Sequence, residues 1–81
     1  MGSATVVRNI QVTKLGRSIE GTLVLDKMSY RVEISEDDRH VVVEARLTLG
    51  ALETTPDPEK FLKGWFAGRP RPKPNTVVDI P

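Results

Sequence analysis

His40 and the carboxylates before it, Glu36, Asp37 and Asp38, are the residues best placed by type and spacing to do chemistry. An imidazole beside a carboxylate is a general acid–base pair, but it needs a nucleophile to activate. Cysteine is absent, and no serine stands in a nucleophile-elbow sequence. His40 therefore reads as an edge or turn residue, and the chain is expected not to be an enzyme. The three carboxylates are hard oxygen ligands of the kind calcium or magnesium takes. Consecutive residues in a tight turn point apart, however, so the run reads as a solvated hairpin loop. Gly16-Arg17-Ser18-Ile19-Glu20-Gly21-Thr22 has the glycine spacing of a phosphate loop, yet Thr22 stands where the lysine belongs and a strand follows instead of a helix. With one histidine and no thiolate, no metal centre and no cofactor is expected.

Charge is what remains to carry function, and it is unevenly spread. Residues 1–19 carry +3, residues 20–59 carry −6 and residues 60–81 carry +4, although the chain totals only +1. The acidic middle offers Glu33, Glu36, Asp37, Asp38 and Glu44 as a surface for a basic or strand-presenting protein. The basic ends offer Arg8, Arg17, Arg69, Arg71 and Lys73 as a nucleic-acid footprint, provided that the fold brings them to one face.

The elements that must position these charges follow from periodicity. Apolar residues alternate with polar ones over 4–13, 18–25, 28–35 and 40–49, which predicts four strands. The turns between them fall at Lys14-Leu15-Gly16-Arg17, at Asp26-Lys27 and at Glu36-Asp37-Asp38-Arg39. Gly21, inside the second strand, suggests a bulge or a close backbone approach. Strands joined by such short turns pair antiparallel, because parallel neighbours need crossovers of about a dozen residues or more. A helix over 57–67 follows from Thr55-Pro56-Asp57-Pro58-Glu59 as its start, the apolar stripe Phe61, Leu62, Trp65 and Phe66, and Gly68 and Pro70 as its stop. Gly64 within that helix implies close contact with another backbone, and Trp65 is expected between helix and sheet.

The fold expected is therefore α+β: a four-stranded antiparallel meander with one C-terminal helix on its apolar face. Residues 68–75 form a proline- and arginine-rich arm in extended conformation. Residues 76–80 are β-prone again and make either a short fifth strand or a ragged tail. At 81 residues the chain is expected to be a single small domain, 1–81, with a thin core and no room for a deep active site. Met1-Gly2-Ser3 is given no role. No apolar run reaches the roughly 18 residues that cross a bilayer, so a cytoplasmic protein with no membrane partner is expected.

Two short stretches resemble known families. Gly68-Arg69-Pro70, followed by Arg71 and Lys73, resembles the core of an AT-hook, which lies extended in the narrow minor groove of A·T tracts. Ala67 stands where that family has a further arginine, so only half of the motif is present. Trp65-Phe66-Ala67-Gly68-Arg69-Pro70 is similar to a helix end in a small phage anti-CRISPR family that packs helices on a four-stranded antiparallel sheet. The latter resemblance implies a small inhibitor or adaptor of phage or mobile-element type.

The function expected from these readings is a non-catalytic protein-binding module that docks through its sheet surface or an exposed edge. A meander has two edges, residues 76–80 can cover only one, and the other is expected to meet another protein or to self-associate. The alternative is a nucleic-acid-binding module using the Gly-Arg-Pro arm and the basic N-terminal strand.

Overall fold

The computed structural model describes residues 8–21 and 25–80. Its elements are β1 (Arg8–Glu20), β2 (Leu25–Glu36), β3 (Arg39–Thr48), α1 (Leu49–Glu53), α2 (Pro58–Ala67) and β4 (Val77–Ile80). The fold is α+β, with one mixed sheet in the order β1-β2-β3-β4 and two helices. The first three strands pair antiparallel, and β4 lies parallel to β3.

This corrects the expected all-antiparallel meander in two ways: β4 runs parallel to β3, and two expected strands merge into β1 at Gly16. The described parts of two expected strands, 8–13 and 18–20, belong to one strand, β1, which pairs with β2 along its whole length. Lys14 faces Tyr30 and Gly16 faces Ser29, so Leu15 is an extra residue, a β-bulge, where a hairpin turn was expected. Gly16 has φ +146°, a conformation that side chains rarely tolerate. Gly21 is no bulge; it opens the β1–β2 turn at φ +72°. Residues 4–7 of the first expected strand and 22–24 of the second lie outside the described residues.

β2 and β3 supply the core because their alternation is clean. Tyr30, Val32 and Ile34 from β2 and Val41, Val43, Ala45 and Leu47 from β3 all point to one face and are buried. Ile10 joins them from β1, Ile80 from β4, and Leu62 and Phe66 from α2. Each such side chain contributes about 1.5–3 kcal/mol on leaving water.

The segment after β3 holds two helices where one was expected. The Thr48 hydroxyl accepts from the Ala51 amide at 3.1 Å and starts α1, while the Thr54 and Thr55 hydroxyls donate to the Ala51 carbonyl and help end it. α2 begins as the sequence indicates: the Asp57 carboxylate accepts from the Lys60 amide at 3.2 Å, with Pro58 in the first turn. Leu62 and Phe66 are its buried pair, whereas Trp65 lies half-buried at its flank, with its ring edge-on to Phe66 at 5.2 Å. Trp65 thus packs against the margin of the core and is only partly covered by it. A Cβ on Gly64 would meet nothing within 4 Å, so the close backbone contact expected there is also absent.

The 69–76 arm then carries the chain round the end of the sheet. Asn75, at φ +59°, donates to the Val42 carbonyl at 2.9 Å, and the Thr76 carbonyl accepts from the Glu44 amide at 3.0 Å, which starts β4.

Two stability changes follow. Phe66→Ala should lower the unfolding free energy by about 3–5 kcal/mol, and Trp65→Ala by less than half of that. Gly64→Ala should raise it by about 0.5–1 kcal/mol, since an exposed helical glycine carries an entropic cost that alanine removes. Denaturant midpoints check both, and a Trp65→Ala loss equal to that of Phe66→Ala would contradict the flank position.

Candidate functional site

The acidic residues singled out from the sequence do not form one surface. Glu33 and Glu44 lie on the helix-free face of the sheet, and both are engaged. Glu33 meets Arg31 at 3.2 Å and His40 Nε2 at 3.5 Å, the latter an ion pair only when the imidazole is protonated. Glu44 meets Arg46 at 2.9 Å. On the same face Lys27 reaches across to Asp79 at 3.0 Å. Asp37 and Asp38 are exposed at the β2–β3 hairpin tip, where Asp37 adopts φ +57°. Among the described residues, no group of three or more histidines and carboxylates is placed to hold a metal ion.

Glu36 has a different position and partners. Its carboxylate takes Arg8 at 3.3 Å and Arg71 at 3.8 Å. Arg8 also donates Nη1 to the Phe66 carbonyl at 2.8 Å and to the Arg69 carbonyl at 2.6 Å. One guanidinium thus ties β1, β2, the end of α2 and the arm together. Hydrogen bonds with a charged partner are the stronger kind, and the planar fork of arginine suits several acceptors at once.

The basic residues singled out from the sequence divide between two ends of the sheet. Arg8, Arg69 and Arg71 gather where α2 ends, while Arg17 lies opposite Met28. Arg8 lies opposite Glu36, so Arg8 and Arg17 are separated by the span from Met28 to Glu36, about 26 Å at roughly 3.3 Å per residue. Arg17 pairs with Asp26 at 2.6 Å; that hydrogen bond, and then the carboxylate charge, raise its pKa. Arg69 stacks its guanidinium 3.6 Å from the centroid of the Trp65 ring and donates to the Trp65 carbonyl. Lys73 is exposed, with no ion pair among the described residues.

The pairing also shows which edge the last strand covers and which has no neighbour among the described residues. Glu44 donates to Thr76 and Val42 accepts from Asn75, so even-numbered residues of β3 bond outward and odd-numbered ones bond to β2. Through the register Val43↔Val32, the even residues of β2 bond to β3 and its odd residues bond to β1. Gln11↔Glu33 and Thr13↔Arg31 are then the bonded pairs on β1. The backbone groups of Arg8, Ile10, Val12 and Lys14 point away from the sheet, and past the bulge so do those of Arg17 and Ile19. β4 occupies the outer side of β3 over Glu44–Leu47, whereas among the described residues β1 pairs with β2 alone.

A second candidate, a shallow hollow of about 290 Å³, lies on the helix-free face and is lined in part by Leu15, Val42, Val77, Arg31 and Glu44. Leu15 is 55 % exposed and Val77 50 %, so this face is apolar only in separate spots.

No helix among the described residues is long and apolar enough to cross a membrane. No family model, no curated protein and no solved structure matches the chain.

Arg8→Ala leaves two backbone carbonyls and Glu36 without their shared donor. It should cost about 1–3 kcal/mol, with faster amide exchange at Asn75 as the arm loosens. Arg8→Lys should recover less than half of that, because an ammonium cannot reproduce the fork. Full recovery in denaturant titrations would mean that charge alone holds the arm.

Proposed function

We propose that this chain is a non-catalytic protein-binding module, of inhibitor or adaptor kind, that docks by adding a partner's strand to the edge of β1. The observation that carries this reading is the unequal treatment of the two edges. The chain uses its last β-prone segment to cover β3, while among the described residues the longer β1, of 13 residues, pairs with β2 alone. β1 has no proline to block docking, and an unpaired strand edge templates further strands. Main-chain bonds would provide affinity, and the side chains lining the edge would provide selectivity.

The nucleic-acid reading has less support. Arg8 and Arg71 share Glu36, Arg17 holds Asp26, and Arg69 lies on Trp65, so four of the five cations proposed for phosphate contact are already engaged. The Gly-Arg-Pro arm is fixed between α2 and β3 at both of its ends.

The test separates the two sides of one strand. Lys14→Pro removes an amide that points outward, whereas Gln11→Pro removes one bonded to β2. The first should fold with a midpoint close to that of Lys14→Ala, and the second should be destabilised. A protein captured from nuclease-treated lysate by the wild type and by Lys14→Ala, and lost with Lys14→Pro, is the expected result. Capture unaffected by Lys14→Pro, or abolished by the nuclease, would refute docking at this edge.

A further inference from the structure

β4 is the element most lightly joined to the rest of the fold. It is four residues long and buries one side chain fully, Ile80, with Val78 half-buried and Val77 exposed. Its other ties are main-chain bonds to β3 and the Lys27–Asp79 pair at 3.0 Å. The end of α2 and the first part of the arm are fastened separately: Arg8 holds the Phe66 and Arg69 carbonyls, and Arg71 meets Glu36. All of those contacts precede residue 72, so β4 can leave β3 without loosening them.

The bend that returns β4 to its own β3 falls on one residue. Pro70, Pro72 and Pro74 hold the residues before them, Arg69, Arg71 and Lys73, to extended backbone. Asn75 then adopts the left-handed region at φ +59°, and the Thr76 hydroxyl closes the turn on the Lys73 carbonyl at 2.7 Å. Proline followed by asparagine is the pairing that a type II turn favours. Asparagine tolerates the left-handed region better than most side-chain-bearing residues, but less well than glycine. An extended Asn75 removes the bend, and the five residues after it then reach about 16 Å from the arm.

A β4 released in this way frees, on its own chain, the Val42 carbonyl, the Glu44 amide, Lys27 and the core position of Ile80. A second copy with its β4 released offers the same set of groups. We propose that two copies of this chain exchange residues 76–80, each β4 pairing in parallel with the β3 of the other, with Asn75 as the hinge. Every contact that β4 makes in the closed chain is made again between chains, so the exchanged dimer is isologous and needs no new surface. It leaves the β1 edge untouched and does not depend on docking there. A neighbouring copy competes with the chain's own β4 at about 1 mM, the effective concentration that a short link provides, and relief of two left-handed turns lowers that value.

Lys27 and Asp79 supply the test, because a carbodiimide joins an amine to a carboxylate in contact with it and adds no spacer. Isotope-labelled and unlabelled chains are mixed, concentrated to about 1 mM and separated by size, and each fraction is cross-linked after dilution. In the monomer the Lys27–Asp79 link lies within one chain. In the dimer it should join two, seen as linked peptides of mixed label, and Lys27→Arg should abolish it. Asn75→Val, which the left-handed region disfavours, should strengthen dimerisation about tenfold or more, since each dimer contains two hinges. Asn75→Gly should weaken it. A dimer whose Lys27–Asp79 link stays within each chain would place the interface elsewhere and overturn exchange. So would an Asn75→Val chain that remains monomeric at about 1 mM. In that case a protected Glu44 amide would mean that β4 stays on its own β3, and a fast-exchanging one that β4 merely frays. Should Asn75→Val fail to fold, equal dimer fractions in the wild type and Asn75→Gly would overturn the hinge.

Discussion

A strand that pairs in parallel with β3 must enter the sheet from the end where β3 began, and that requirement dictates the course of everything between residues 48 and 77. The chain leaves β3 at Thr48, turns through α1, runs back over the sheet as α2 and crosses the sheet's end before β4 can form. α2 is therefore laid over β1, and its Leu62 and Phe66 complete a core that the strands alone leave open on one face. The arm is extended because it must span the sheet's end. Its alternating prolines suit that conformation, and Arg71 and the Arg69 carbonyl hold it against Glu36 and Arg8. Arg8 is the point at which the outgoing and returning parts of the crossover are fastened to the hairpin that precedes them.

The same route explains what the sequence could and could not reveal. The β2–β3 alternation is regular from Met28 to Leu47, so the hairpin, its tip at Asp37-Asp38 and its buried face were legible from spacing alone. α2 was legible from its capping chemistry, within one residue of Asp57. The bulge was not, because a one-residue insertion and a tight turn produce the same signal: apolar residues shift from even to odd numbers, with a glycine at the change. Only the pairing of both halves of β1 with a single partner separates the two cases. The parallel β4 was missed for a related reason. Strand direction depends on the length of the connection, and the segment holding the helices is long enough to return the chain to the end of the sheet where β3 begins.

Candidate charges were legible as residues but not as surfaces. The acids of the middle segment outnumber its cations in sequence, yet cross-strand and same-strand neighbours place Arg31 and His40 beside Glu33, Arg46 beside Glu44, and Arg8 and Arg71 beside Glu36. Pairings between residues far apart in the chain, such as Arg71 with Glu36, depend on the crossover and have no local signature. The segment totals therefore point to an acidic body, whereas the fold distributes most of these carboxylates among cations.

An edge with no neighbour among the described residues needs some protection against indiscriminate pairing, and β1 carries two devices of that kind. Leu15 bulges out of the ladder and Gly16 bends the strand, which interrupts any long, flat stretch of outward backbone groups. Lys14 and Arg17 flank the bulge on the side of the sheet that carries α2, and a lysine at an edge is a common deterrent to pairing between identical copies. Deterrents based on charge are selective by nature: they repel another copy of the same edge and attract one that carries carboxylates. If β1 docks a strand as proposed, the bulge and Lys14 would also discriminate between the strands that approach it.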